Sequence, residues 1–109
     1  MKITIDDFNK VEIRAGRIID VQDFFEARKP LYKLTIDFGK FGIKQSGAGL
    51  RESYKKEELL DRQVVAVVNF PPRQIKNFMS ECLVLGLQKG KRIVLLKPDE
   101  DVELGEKVF

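Results

Sequence analysis

The sequence contains no histidine, and its only cysteine is Cys82. Without histidine, one chain cannot assemble a Ser-His-Asp triad, a Cys-His dyad or a His-ligated zinc site. A single cysteine excludes an intrachain disulfide, which favours a reducing compartment. These two shortages argue against an enzyme, and they give no reason to expect a cofactor or a metal.

Long apolar runs are also missing, since none approaches the length of a membrane-spanning helix. The N-terminus turns acidic at Asp6 and Asp7 before any apolar run develops, which is unlike a signal peptide. No repeat, linker or low-complexity stretch interrupts the 109 residues, and 43% of them are hydrophobic, enough for a core. We therefore expect residues 1–109 to form one cytoplasmic domain that does not insert into a membrane.

The charge is unevenly distributed. The chain has 20 basic and 17 acidic residues, but residues 99–109 hold five acids and one base. Residues 1–98 therefore carry 19 bases and 12 acids, a net charge of +7. A compact body with this excess attracts polyanions at long range, and salt screens the attraction. The alternative is an ordinary soluble surface that happens to be basic.

Strand patterns dominate the first half of the chain. A helical turn is predicted over residues 5–10, followed by a long strand over 11–21 whose alternation slips near Gly16. A glycine at such a slip predicts a β-bulge. The cleanest alternation, over residues 32–38, is joined by a turn at Gly39-Lys40 to a strand over 41–46. A polar connection is expected over 22–30.

The second half adds one short helix and three buried strands. Gly47-Ala48-Gly49 is expected to end the sheet, and residues 53–60 to form a helix with Leu59 and Leu60 facing inward. Strands follow over 63–68, 82–85 and 92–96, with a basic loop after Pro71-Pro72, where proline stops the ladder.

This order predicts an all-β fold, a five-stranded Greek-key barrel of the OB type with a short helix between strands 3 and 4. The strand over 92–96 and the acidic tail lie beyond the minimal barrel. We expect them to contribute to a subunit interface, although they could instead pack on their own barrel.

OB-folds bind ligands on the face of strands 2 and 3 and between the loops that join strands 1–2 and 4–5. In the predicted register, six bases converge on this side, two from each loop and two from the outward face of strands 2 and 3: Arg28, Lys29, Arg73, Lys76, Lys33 and Lys44. The second loop also contains Phe70 and Phe78, and rings beside basic groups suit base stacking or contacts with unfolded chain.

Several of these residues also admit a structural role. Phe70 and Phe78 could be core residues at strand ends. Glu81 could pair with Arg73 or Lys44, or cap a loop amide, and a lone carboxylate makes poor acid–base machinery. Asn77 stands where the loop is expected to reverse with a positive φ. Cys82 is expected to be an inert core thiol.

Six segments together resemble a known family: residues 12–18, 27–30, 32–39, 42–46, 63–73 and 80–86. The most specific part is Asn69-Phe70-Pro71-Pro72-Arg73 followed by Ser80-Glu81. These segments resemble the stand-alone tRNA-binding-domain proteins, and within them the CsaA branch of secretion-associated chaperones.

The resemblance implies an OB-fold homodimer whose interface is formed by N- and C-terminal additions to the barrel. It implies tRNA binding in the wider family, and for the CsaA branch an association with unfolded export precursors and with the Sec translocation motor. It places several residues around the family's pocket: Lys33, Lys44, Asn69, Arg73, Ser80 and Glu81, with Arg28 on the basic rim. Gly49 and Asn77 depart from the pattern, which has a polar side chain and a glycine there.

Three hypotheses follow for the function. The first is an ATP-independent, homodimeric chaperone that binds unfolded polypeptides and whose basic groove also binds tRNA. Its alternative is a structure-specific tRNA-binding protein with no chaperone role, since structured RNA is recognised through shape and phosphate contacts. The third, an enzyme, lacks any activated nucleophile or acid–base pair.

Overall fold

The computed structural model describes residues 1–109, and short strands dominate it. In chain order the elements are α1 (Ile5–Asn9), β1 (Ile13–Phe24), β2 (Leu31–Asp37), β3 (Ile43–Ala48), α2 (Lys56–Leu59), β4 (Gln63–Val67), β5 (Arg73–Ile75), β6 (Phe78–Ser80), β7 (Leu83–Val84), β8 (Gly86–Lys89) and β9 (Arg92–Leu95). A 3-10 turn over Gly39–Phe41 joins β2 to β3. Neither helix has the length and apolar character that crossing a membrane requires.

Five strands form one antiparallel sheet in the order β3-β2-β1-β4-β7. The two edge strands, β3 and β7, lie close to each other. The Ser46 Oγ of β3 donates a 2.8 Å hydrogen bond to the carbonyl of Cys82, the residue just before β7. The Glu81 N–H likewise donates to the Gln45 carbonyl at 2.8 Å. The sheet therefore curls into an OB-like half-barrel, and α2 lies between β3 and β4 in the chain, as predicted.

The core lies on the concave side of this sheet. The alternation of β2 is confirmed, since Tyr32, Leu34, Ile36 and Phe38 are all buried while the residues between them are partly exposed. They join a cluster of 13 buried residues that also includes Leu59 of α2. The alternation of β2 thus buries one face of the sheet in the core, and the other face remains available for further elements and ligands.

The β-bulge predicted around Gly16, where Ile18 and Ile19 are adjacent, is confirmed, although Gly16 itself is not the bulged residue. The pairing of β1 with β2 shifts register between Ile18 and Asp20, so Ile19 is the extra residue. Gly16 serves close packing instead. A Cβ atom at Gly16 would lie 2.6 Å from Ile36 Cγ2 and 2.7 Å from Phe38 Cε1, so only glycine lets these layers approach.

Three predicted boundaries are wrong. β1 continues through Phe24, which is fully buried, so the connection expected over 22–30 is shorter. β3 continues through Gly47 and Ala48, both of which pair with β2. Helix α2 covers only Lys56–Leu59, and Leu60 is 52% exposed rather than turned inward.

The segment between β4 and the C-terminus also differs from the prediction. The expected basic loop folds into the β5–β6 hairpin, and a second hairpin pairs β8 with β9. The buried strand expected over 82–85 is reduced to β7, in which Leu83 is 51% exposed. Short hairpins of this kind depend on what they pack against, which local sequence patterns do not reveal.

The acidic C-terminal tail packs on its own barrel. Gly105 and Val108 donate backbone hydrogen bonds of 2.8 Å to the carbonyls of Ala15 and Ile13 in β1. The Arg14 guanidinium donates to the Gly105 carbonyl at 2.9 Å and stacks 3.7 Å from the centre of the Phe41 ring. The tail thus extends the sheet beside the first half of β1, where β2 does not pair.

We predict that Gly16→Ala lowers the free energy of unfolding by about 1–3 kcal/mol, because the added methyl overpacks the contact with Ile36 and Phe38. Gly49→Ala is the matched control, since a Cβ atom there would meet only Leu31 at 3.8 Å. Urea denaturation measures both variants. Equal stabilities of the two variants would contradict this role for Gly16.

Candidate functional site

The β5–β6 hairpin lies against the outer face of the sheet, where it is held by an aromatic pair. The rings of Phe24 and Phe78 meet edge to face with their centres 5.5 Å apart. Both side chains are buried, yet neither belongs to the main core cluster. Gly47 leaves room beneath the hairpin, since a Cβ atom there would lie 2.9 Å from Ile75 Cδ1. A small second hydrophobic cluster therefore fixes the hairpin to the face predicted to bind ligands.

Lys33 closes this second cluster. Its Nζ lies 4.6 Å from the centre of the Phe24 ring and 5.6 Å from that of Phe78, which are cation–π distances. The same Nζ is 3.7 Å from the Glu26 carboxylate. Lys33 therefore lies on the predicted outer face but is already engaged, and the buried Phe78 ring presents no free surface for stacking.

Four bases come together beside the hairpin. Arg28 and Lys29 of the β1–β2 loop and Arg73 and Lys76 of the hairpin line a cavity of about 360 Å³ around Gly47. All four are exposed, and none lies within 4.0 Å of a carboxylate. We call this set the cationic pocket. Its bases lack protein partners, so they are free to meet an anion.

The turn of the hairpin is closed by a different residue from the one expected. Lys76 has φ = +55°, whereas Asn77, predicted to take the positive φ, does not. The left-handed region is unfavourable for lysine, and here the turn links Ile75 to Phe78, which pair across the hairpin. As a result, the Lys76 side chain lies at the tip of the hairpin, in the cationic pocket.

An apolar groove adjoins the cationic pocket and shares Gly47, Arg73 and Ile75 with it. Its volume is about 420 Å³, and its remaining lining is formed by Phe70, Pro71, Ser80, Glu81, Cys82 and Leu83. Phe70 is 53% exposed and Leu83 is 51% exposed, so the groove presents apolar side chains to solvent. Exposed apolar surface bordered by charge is typical of a binding site.

Ser80 and Glu81 hold the groove together. The Ser80 Oγ accepts a 3.0 Å hydrogen bond from the Gly47 N–H, and Glu81 Oε1 accepts one of 3.0 Å from the Gln45 N–H. Glu81 thus caps a backbone amide, one of the roles expected for it, and makes no ion pair with Arg73 or Lys44. Both residues line the groove, and their side chains join β3 to the end of β6 and the residue after it.

Asn69 lies outside both cavities, because its side chain is used elsewhere. Its Oδ1 accepts a 3.0 Å hydrogen bond from the Glu12 N–H, and its Nδ2 donates one of 2.7 Å to the Lys10 carbonyl. The two bonds tie the end of β4 to the segment between α1 and β1. The structure therefore gives Asn69 a role in positioning the chain rather than a free polar group for a ligand.

Lys44 does not share a face with Lys33, so the prediction that both point outward is wrong for Lys44. It is paired with the fully buried Ile36, and directly opposed residues in an antiparallel pair project to the same side. Lys44 therefore lies on the concave side, near Cys82. Burial raises the pKa of the Cys82 thiol to about 11, which agrees with an inert core cysteine.

The structure thus brings together Arg28, Lys29, Arg73 and Lys76, and sets the apolar groove beside them. Lys44 and Asn69 lie away from this face. Phe78 is buried against Phe24 beneath the hairpin. Ile75 and Leu83 line the face but were not identified from the sequence. The exposure of Leu83 could have been predicted from the sequence. Successive side chains of a strand point to opposite faces, so Leu83 faces away from the core if Cys82 faces into it.

Comparisons with a family model and with solved structures give matches over nearly the whole chain. The family described as a putative tRNA binding domain matches residues 13–107. A crystal structure of a CsaA chaperone protein from Picrophilus torridus superposes with a TM-score of 0.94 at 51% identity, covering 99% of this chain and 100% of that one. The CsaA chaperone from Bacillus anthracis gives a TM-score of 0.93 at 40% identity, with both chains covered completely.

Curated relatives share the domain within much longer chains. A methionine–tRNA ligase from Pyrococcus abyssi is 42% identical over 108 residues, which are 99% of this chain but 15% of the ligase. A ligase of the same name from Nanoarchaeum equitans is 42% identical over 102 residues, or 13% of its length. This chain therefore spans a small part of those enzymes.

We predict that Phe78→Ala lowers the free energy of unfolding by about 3 kcal/mol, because it removes a buried ring from the contact with Phe24. Met79→Ala is the control in the same strand. Met79 is 43% exposed, so its loss should cost only about 0.5 kcal/mol. Chemical denaturation compares them, and a Phe78 variant as stable as the Met79 variant would show that the aromatic pair does not hold the hairpin.

Proposed function

The chain belongs to the family of putative tRNA-binding domains and is of the CsaA type, and from this premise we propose that it is an ATP-independent chaperone. In this proposal the whole chain acts as one non-catalytic binding domain. Unfolded or export-precursor polypeptides bind the apolar groove, and tRNA binds the adjoining cationic pocket. The observation that carries the proposal is the juxtaposition of exposed apolar side chains with four unpaired bases on one face.

The apolar groove supports the polypeptide part. Exposed apolar side chains line this groove, namely Phe70, Pro71 and Leu83. A contiguous exposed apolar patch of this kind marks an interaction site. An unfolded chain offers apolar side chains to this surface, and burying them contributes free energy in proportion to the apolar area removed from water. Nothing in such an exchange requires ATP. The full-length similarity to two proteins described as chaperones is the second support.

The cationic pocket supports the RNA part. Arginine and lysine side chains that meet phosphates release condensed counterions, which supplies affinity independent of sequence. Arg28, Lys29, Arg73 and Lys76 have no carboxylate partners to give up on binding. The match to the tRNA-binding family supports the same ligand. A methionine–tRNA ligase activity is not proposed, because this chain spans about 15% of those relatives.

We further propose that two copies associate through the N- and C-terminal additions. Exposed apolar residues concentrate there, among them Ile3, Ile5, Val102, Val108 and Phe109. Val102, Val108 and Phe109 also line a cavity of about 550 Å³ beside Ala15 and Val65. Self-complementary burial of such surface is the usual basis of a two-fold homodimer. A dimer would present two binding faces to one ligand.

We predict that the protein suppresses the aggregation of a chemically denatured protein without ATP, and that Leu83→Ser reduces this suppression several-fold. Leu60→Ser is the matched control, because Leu60 is 52% exposed, like Leu83, but lies outside the groove. Light scattering after dilution from denaturant measures the effect. No suppression by a molar excess of the unaltered protein would contradict the chaperone proposal, and equal loss in both variants would remove the groove from it.

We also predict that Arg73→Gln and Lys76→Gln each weaken binding of bulk tRNA. Each should flatten the plot of log affinity against log salt by roughly one unit, because each removes a phosphate contact. A variant with Lys2→Gln and Lys40→Gln is the control for net charge, since both lysines lie outside the cavities of the binding face. Fluorescence anisotropy over a salt series gives the slopes. Slopes that match the unaltered protein would exclude the cationic pocket as the RNA site.

A further inference from the structure

A second group of unpaired bases lies at the tip of the β8–β9 hairpin, away from the loops that form the cationic pocket. Lys89, Lys91 and Arg92 surround Gly90, whose φ of +62° closes a tight turn. All three basic side chains are exposed, and none has a carboxylate within 4.0 Å. Lys89 is paired with Arg92, so their side chains project to the same side of the hairpin.

A fourth base, Arg62, is held next to this tip by a shared aromatic ring. The guanidinium carbon of Arg62 lies 5.1 Å from the centre of the Tyr54 ring, and that of Arg92 lies 6.0 Å from the same centre. The ring itself is fixed, because the Tyr54 hydroxyl accepts a 3.0 Å hydrogen bond from the Leu95 N–H. Both guanidiniums therefore lie within about 6 Å of the centre of one buried tyrosine ring, and neither has a carboxylate within 4.0 Å.

Arg62 also has an unsatisfied donor. Its Nε is buried and has no hydrogen-bond partner. Pairs of like charge and unpaired buried donors both cost free energy unless another group compensates them. An anion that contacts the terminal guanidinium nitrogens of Arg62 and Arg92 would offset their repulsion, and guanidinium groups match the oxygen geometry of phosphate especially well.

A groove connects this tip to the binding face. It has a volume of about 400 Å³, begins at Gly47 and Leu83, which also line the apolar groove, and ends at Leu87, Gln88 and Ile93 of the second hairpin. Lys89 and Arg92 directly follow and precede the residues at that end. Bases thus flank a continuous path at both ends, with mainly apolar residues between them.

We propose that Lys89, Lys91, Arg92 and Arg62 form a second phosphate-contact site, which holds the backbone of an RNA whose other contact is the cationic pocket. The inference rests on the RNA-binding part of the proposed function and extends it to a second point of attachment. RNA fits better than an acidic polypeptide, because its backbone carries a charge at every nucleotide and can reach two separated groups of bases.

The first test compares three variants for binding of bulk tRNA over a salt series. The hairpin variant carries Lys89→Gln and Lys91→Gln, which leave the Arg62–Tyr54–Arg92 packing intact. The pocket variant carries Arg73→Gln and Lys76→Gln, and the control for net charge carries Lys2→Gln and Lys40→Gln. We expect the hairpin variant to flatten the salt slope by roughly one to two units, and to add to the pocket variant when the two are combined.

A second test does not depend on RNA binding. Inorganic triphosphate is titrated into isotope-labelled protein, and the amide resonance of Gly90 reports directly on the turn. We expect this resonance to shift with triphosphate in the unaltered protein and much less in the hairpin variant. If tRNA fails to bind but Gly90 responds, the RNA function falls and the phosphate site stands.

Three results would overturn the second site. One is a hairpin variant whose salt slope matches the unaltered protein while the pocket variant changes it. Another is a loss no larger than that of the control for net charge. The third is a Gly90 resonance that responds to poly-glutamate but not to triphosphate, which would make the tip a contact for acidic polypeptide instead.

Discussion

The edge-to-face contact between Phe24 and Phe78 is the interaction on which the binding face depends. It fixes the β5–β6 hairpin to the outer face of the sheet, and Lys33 covers the two rings. The hairpin then carries Arg73 and Lys76 to the β1–β2 loop. Without this contact, the hairpin would be joined to the sheet mainly at its second strand, through the Ser80 and Glu81 hydrogen bonds to β3. The sequence suggested Phe78 as a ring for base stacking, but in the structure it packs on Phe24 and holds the hairpin in place.

The face combines two kinds of attraction that respond differently to solution conditions. Apolar contacts along Phe70 and Leu83 are insensitive to modest salt, whereas the bases act through counterion release and are weakened by it. An unfolded polypeptide uses mainly the first and an RNA backbone mainly the second. Because Arg73 and Gly47 border both cavities, the sites proposed for the two ligands share surface. In the proposed function, one small domain therefore binds chemically unlike ligands, one at a time.

The sequence predicted the parts of the fold that local patterns determine. The alternation of β2 identified its buried face, and a continuous apolar run identified β4. Contacts between distant segments were not visible in this way. The hairpin over residues 73–80 forms because Phe78 finds Phe24, 54 residues earlier in the numbering, and the register that places Lys44 beside Ile36 depends on strand pairing. The loops with four bases are predictable because fold and composition point to the same place, whereas the uniformly apolar run over 82–85 predicts a wholly buried strand and hides the exposure of Leu83.

Competition between the two proposed ligands tests whether one face binds both polypeptide and RNA. Labelled tRNA is bound at low salt, and a permanently unfolded polypeptide without net charge is added in steps. We expect the apparent dissociation constant for tRNA to rise in proportion to the polypeptide concentration, and we expect Leu83→Ser to weaken this effect several-fold. A ternary complex, in which polypeptide binds while the tRNA affinity stays constant, would contradict a shared face.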